Sequence, residues 1–238
     1  MTYFLLQTLR SLSCSFAILF SITAHSADYF FEVGSALSPV SLGNSKNKQI
    51  ELIKEKISPW YPSFTSQFEH SDFNNRTPNN ISLGIKNKRL EFKLTYFNFD
   101  KANSTLKTNY TFVYFSGNNQ AEQGIDENSV ARVNTSRSAS VRSYAINYIT
   151  PITNNLSWKP TFGILDWSIT DKHSTLTSGQ FGSSKSTVSD KSSSFNFFFG
   201  LELSYYINET FSINANFNRY KFGSKIIPFE GISLRTNF

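Results

Sequence analysis

The chain has 238 residues, enough for one large domain, with 23 Lys and Arg against 17 Asp and Glu and a formal net charge of +6. A mean hydropathy of −0.30 argues against membrane-spanning helices, which need about 20 consecutive apolar residues each. The charges are scattered rather than clustered, so nucleic acid is not an expected partner.

Residues 1–27 read as a secretory signal peptide. Arg10 supplies the positive end, Leu12 to Thr23 carries no charge, and Ala24-His25-Ser26-Ala27 offers small residues for cleavage. A signal anchor is the alternative. Cys14, the single cysteine, lies inside this segment and lacks the Leu-Ala-Gly/Ala setting of a lipoprotein. A mature chain of residues 28–238 would have no thiol chemistry. Its net charge would fall to +5, since Arg10 is lost and no acidic residue goes with it.

After the signal, alternation with a period of two begins, the mark of a strand with one apolar face. Tyr29, Phe31, Val33, Ser35 and Leu37 share one face, and Phe30, Glu32, Gly34 and Ala36 the other. Residues 38–79 are a long polar connection. Within it Ile50, Ile53 and Ile57 recur at helical spacing, with Glu51 and Lys54 placed to pair and Pro59 as a stop. A short amphipathic helix over the mouth of the fold is one reading, and a disordered loop is the other. Ile81, Leu83 and Ile85, then Leu90, Phe92, Leu94 and Tyr96, form the apolar faces of a hairpin turning at residues 86–89. Residues 100–140 read as two strands running far beyond this band and joining at 117–128. The alternative inserts two further strands, making ten.

Tyr144, Ile146 and Tyr148 lead to a short turn at 151–155, and Leu156, Trp158, Phe162 and Ile164 run out again. Pro160 lacks a backbone donor, so a bulge is expected there. Asp166 to Ser193, rich in Ser, Thr and Lys, reads as a third long connection. Phe195 to Tyr205 is the strongest alternating run, followed by a tight turn at 207–210 and by Phe211, Ile213, Ala215 and Phe217. Tyr220 to Pro228 reads as a shorter loop into the final strand. That strand carries Ile232, Leu234, Thr236 and Phe238 on one face and Gly231, Ser233, Arg235 and Asn237 on the other.

Eight strands thus emerge, and their connections alternate between short and long. A soluble sandwich has no reason to sort its loops by parity, whereas a membrane barrel keeps its turns short on one side. With its terminal Phe238, the mature chain resembles the small eight-stranded bacterial outer-membrane β-barrels. The fold that follows is all-β, an eight-stranded antiparallel up-and-down transmembrane β-barrel with short periplasmic turns and long extracellular loops. A soluble barrel with an apolar interior around a ligand is the main rival. The resemblance implies that Gly231, Ile232, Leu234 and Phe238 form the terminal signal read by the barrel assembly machinery. It further implies an outer-membrane location and, for the relatives whose strands protrude, an exposed sheet edge that binds foreign proteins. Envelope lipid and lipopolysaccharide are expected partners of a mildly basic exported chain, with a host or environmental surface ligand as a candidate and a monomer as the expected state.

The faces opposite the apolar stripes carry Glu32, Lys86, Glu91, Lys93, Lys159, Glu202 and Arg235. In an eight-stranded barrel, whose interior is filled by side chains, these are expected to pair into a plug, with Arg235 opposite Glu32 across the closing seam. Two loops bring Ser, His and Asp together, at His70-Ser71-Asp72 and Asp171-Lys172-His173-Ser174. Adjacency in a polar loop is not a catalytic geometry. No metal-ligand spacing or phosphate-cradling glycine loop is present, so no cofactor is expected. The expected function is a non-enzymatic surface-interaction, adhesion or envelope-integrity role. A narrow conduit for small hydrophobic molecules and a lipid-modifying enzyme are the alternatives.

Overall fold

The computed structural model describes residues 28–40, 44–57, 68–73, 77–116, 122–179, 182–222 and 225–238. The segment read as a signal peptide and the helix stop at Pro59 lie outside the described residues. The elements are β1 (Asp28–Ala36), α1 (Lys46–Ile57), β2 (Phe68–Ser71), β3 (Asn79–Asn87), β4 (Leu90–Ser116), β5 (Glu122–Tyr148), β6 (Thr150–Pro151), β7 (Leu156–Gly179), β8 (Gly182–Tyr206), β9 (Phe211–Phe222) and β10 (Lys225–Asn237).

Eight of these strands (β1, β3, β4, β5, β7, β8, β9 and β10) pair antiparallel, each with the next, and β10 pairs back onto β1. The up-and-down barrel expected from the alternation is therefore closed. The seam runs from Ala36↔Gly231 to Phe30↔Asn237. Below it, Tyr29 and Phe238 exchange backbone hydrogen bonds of 3.0 and 2.9 Å. The turns at one end are short. Lys88 takes a left-handed φ of 54° to reverse the chain between β3 and β4. In the turn between β8 and β9 the Asn208 side chain accepts from the backbone amides of Thr210 and Phe211 at 2.9 and 2.8 Å.

The exterior of the ring is apolar. Leu83, Phe162, Phe197, Phe199 and Leu234 are among the side chains that stand exposed, Phe199 at 69%. Tyr29, Tyr148, Trp158, Tyr205 and Phe211, on five different strands, stand exposed close to the short-turn end.

Toward the opposite end, β4, β5, β7 and β8 continue as a protruding sheet. The segment Asp166–Ser193, expected as a loop, is instead strand in its described part, paired in unbroken register from Asp166↔Phe195 to Gly179↔Gly182. Its Ser and Thr residues lack an apolar outer face because the sheet there has left the apolar band. The expected loop 220–228 is also mostly strand, since β9 runs to Phe222 and β10 starts at Lys225. The expected bulge at Pro160 is absent. β7 keeps its register with β8 through Pro160↔Leu201, and the proline faces the interruption of the β5–β7 ladder that ends at Asn147↔Thr161. The register shifts of the β4–β5 pair lie elsewhere, between Phe99 and Ala102 and between Tyr110 and Phe112.

The first of these shifts has a structural consequence. Below it Leu94 and Tyr96 point outward and are exposed, and above it Leu106 and Tyr110 point inward and are buried. An inserted residue re-aims every side chain beyond it. The redirected residues meet α1, where Leu52 and Ile53 pack on Leu106, Tyr110, Ala131 and Val133. The helix pairs Lys48 with Glu51 at 3.1 Å rather than Glu51 with Lys54. The long connection also holds β2, which adds four residues to the edge of β4, from Phe68↔Thr108 to Ser71↔Thr105.

Candidate functional site

Alternation along five strands sends six ionisable side chains into the lower barrel: Glu32 from β1, Glu91 and Lys93 from β4, Lys159 from β7, Glu202 from β8 and Arg235 from β10. Arg235 is at the centre. Its guanidinium donates to Glu91 at 2.7 and 2.9 Å, to Glu32 at 3.1 and 3.3 Å and to Glu202 at 3.1 Å. Lys93 bridges Glu32 and Glu202 at 2.8 and 2.7 Å. Lys159 bridges Glu91 and Glu202 at 3.1 and 2.8 Å. Three acids meet three bases, each lysine spans two carboxylates, and the arginine spans all three.

Polar neighbours complete the shell. Asn147 donates to Glu91 at 2.7 Å, Asn214 to Glu32 at 3.2 Å and Ser204 to Glu202 at 3.2 Å. The Phe30 ring lies 3.9 Å from the guanidinium carbon of Arg235 and adds a cation–π contact. A Cβ on Gly84 would strike this ring and the backbone oxygen of Phe92. Only glycine leaves room there for the platform under the arginine.

Of the seven charges read from the sequence, Lys86 is not in this cluster. It is half-buried, beside Asp28, Lys88 and Arg89 at an open bowl of about 800 Å³ under the short turns. It lies so near the end of β3 that water reaches it. Gly231 and Ser233 face inward on β10, while Ile232, Leu234 and Phe238 are exposed on the apolar exterior.

Above the charges lies an aromatic layer that the sequence reading missed. Phe97, Phe198, Tyr220 and Phe229 meet edge-on or tilted, with ring centroids 4.8–5.7 Å apart. Trp167 and Phe222 pack at 5.6 Å. A Cβ on Gly163 would lie 2.6 Å from Phe198, so that glycine admits the ring. The cavity left between Val40, Phe97, Tyr220 and Phe229 is about 10 Å³, room for about one water.

Of the three histidines, the two among the described residues, His70 and His173, lie apart from these layers. His70 Nε2 contacts Asp72 at 3.0 Å, and Ser71 is bonded to Thr105 rather than to the imidazole. His173 Nδ1 meets the Thr135 hydroxyl at 2.8 Å, and its Nε2 lies 3.5 Å from Asp190. Thr135 is 1% exposed and also receives a hydrogen bond from Gln49 of α1. The hydroxyl is therefore covered by the helix and not presented to a substrate.

A closed eight-stranded antiparallel ring with an apolar exterior and a charge cluster inside is the architecture of a small outer-membrane β-barrel. No protein-family model matches the chain, and no curated protein matches it in sequence. Among solved structures it is similar to Ail, the attachment invasion locus protein of Yersinia pestis, at 10% identity and a TM-score of 0.45, over 90% of this chain and 99% of that one. It is also similar to the N-terminal β-barrel domain of Pseudomonas aeruginosa OprF, at 10% identity and a TM-score of 0.37, over 89% and 97%. Neisserial surface protein A aligns at 11% identity and a TM-score of 0.35, over 90% and 100%.

Proposed function

We propose that this chain is a non-enzymatic outer-membrane protein whose barrel is a plugged anchor and whose protruding sheet meets other molecules at the cell surface. The location is supported by the apolar exterior: large hydrophobic side chains stand exposed on every one of the eight barrel strands. In water a band of that extent would drive aggregation. The plug is supported by the charge cluster and the aromatic layer stacked above it. A single-channel recording that shows large, stable openings would refute it. A conduit for small hydrophobic molecules fits poorly with an aromatic layer that encloses only about 10 Å³.

The observation that carries the surface reading is the edge of β8. β8 pairs with β9 only from Phe199↔Arg219 to Tyr206↔Ser212. From Gly182 to Phe198 it pairs only with β7 among the described residues. Such an edge is a template for an extended segment of another protein, joined by main-chain hydrogen bonds. The same sheet already accepts a short strand on its other edge, where β2 docks on β4. Replacing residues 171–190, which lie in register across the β7–β8 hairpin, with an Asn-Gly turn should abolish attachment in a cell-binding assay. The barrel should keep its heat-dependent shift on a gel. Undiminished attachment would overturn the reading.

Gly231, Ile232, Leu234 and Phe238 are proposed as the assembly signal. Phe238 is in backbone register with Tyr29 at the seam, with its ring 72% exposed. Removing Phe238 should lower the amount of folded barrel recovered from outer membranes, and normal recovery would argue against the assignment.

A further inference from the structure

α1 is held on the protruding sheet by a short chain of hydrogen bonds as well as by its apolar face. Gln49, fully buried, donates through Nε2 to Thr135 Oγ1 at 2.7 Å and to Ser104 Oγ at 3.2 Å. The Thr135 hydroxyl has one hydrogen and has already accepted from Gln49. Its hydrogen is therefore free for His173 Nδ1, 2.8 Å away. Asp190, a carboxylate that can only accept, lies 3.5 Å from Nε2, so the neutral imidazole carries its hydrogen there and leaves Nδ1 to accept from the hydroxyl. The three elements α1, β5 and β7 are thus joined through a single ring nitrogen that must accept.

We propose that Gln49, Thr135, His173 and Asp190 form a proton-operated latch that holds α1 down at neutral pH and releases it on acidification. A proton added at Nδ1 turns that nitrogen into a donor facing an oxygen that already accepts from Gln49. The hydroxyl hydrogen must then leave Nδ1 and turn elsewhere in a site that is 1% exposed at both Thr135 and His173. Of the surrounding charges, Asp171 and Asp190 favour the cation more strongly than Lys48 of α1 and Arg137 of β5 oppose it. Asp171, however, is held by Arg137 at 2.8 and 2.7 Å, and the Asp190 side chain is half exposed. Burial, the largest effect, shifts His173 below its ordinary value of 6.5. A histidine depressed in the docked state contributes fully to docking above its released value. That contribution is lost as the pH falls through and below about 6.5. Release would uncover the apolar patch of Leu106, Ala131 and Val133, which the surface reading above does not require.

The test uses the full chain in lipid nanodiscs, in a Cys14→Ser background, with spin labels at Glu55→Cys on α1 and Ser138→Cys on β5. A narrow distance distribution at pH 7.5 should give way to a broad, longer one at pH 5. The His173→Gln variant keeps a neutral acceptor and donor and should stay narrow at both. A wild-type distribution unchanged at pH 5 would overturn the latch, as would a His173→Gln variant that broadens on acidification as wild type does. If His173→Gln undocks α1 at every pH, Asp190→Asn decides the matter. Loss of that carboxylate should move the wild-type midpoint to lower pH, and an unmoved midpoint would overturn the proposal.

Discussion

The lower barrel and the protruding sheet are made from the same strands, yet they place their apolar residues on opposite faces. In the lower part of β4, Leu94 and Tyr96 face out and Glu91 and Lys93 face in. In its upper part Leu106 and Tyr110 face in, against α1. β7 changes likewise, from Trp158 and Phe162 outside to Leu165 and Trp167 inside. The difference follows the solvent. Where lipid surrounds the strand the apolar face must look out, and where water surrounds it the apolar face must be covered. β4 achieves the change with a register shift, and β7 by a change of residue types at constant parity.

The two regions also differ in what holds them together, and substitutions should separate them. Arg235→Leu should have the largest effect. It leaves three buried carboxylates with two lysines, and breaking a buried ion network by removing one partner costs about 3–5 kcal/mol. Urea unfolding in lipid vesicles would measure this, and a loss below about 1 kcal/mol would mean that the cluster is not a coupled unit. Leu106→Ala should cost about 2–5 kcal/mol, but only locally. Hydrogen exchange should rise across Lys46–Ile57, with the barrel's unfolding midpoint unmoved. A midpoint that falls with it would erase the distinction between the two regions. Lys88→Gly should have the smallest effect. Relief of the left-handed backbone at φ 54° should stabilise the barrel by up to about 1 kcal/mol, with no change in α1 exchange.

These differences explain which parts of the molecule were legible in the sequence. The barrel strands were, because a period-two pattern with an aromatic outer face is unambiguous over runs such as Phe195 to Tyr205. The six clustered charges could be placed on the inner face by counting in twos. The aromatic layer was not legible. Tyr220, Phe222, Ile227 and Phe229 alternate with Arg219, Lys221 and Glu230, but with the apolar face inward, so a reading tuned to apolar-out strands sees a loop. The latch was hidden for another reason. Gln49, Thr135, His173 and Asp190 lie on four elements, and no spacing along the chain relates them.

By itself, then, the sequence determined the all-β alternation, the parity of each lipid-facing strand and the sign of the charges inside. These follow from local alternation, which needs only the geometry of an extended backbone. The tertiary structure alone decided which acid meets which base, where the barrel ends and the sheet continues, and what α1 covers. Those depend on register across the ring, and register is set by pairing between residues as distant as Glu32 and Arg235.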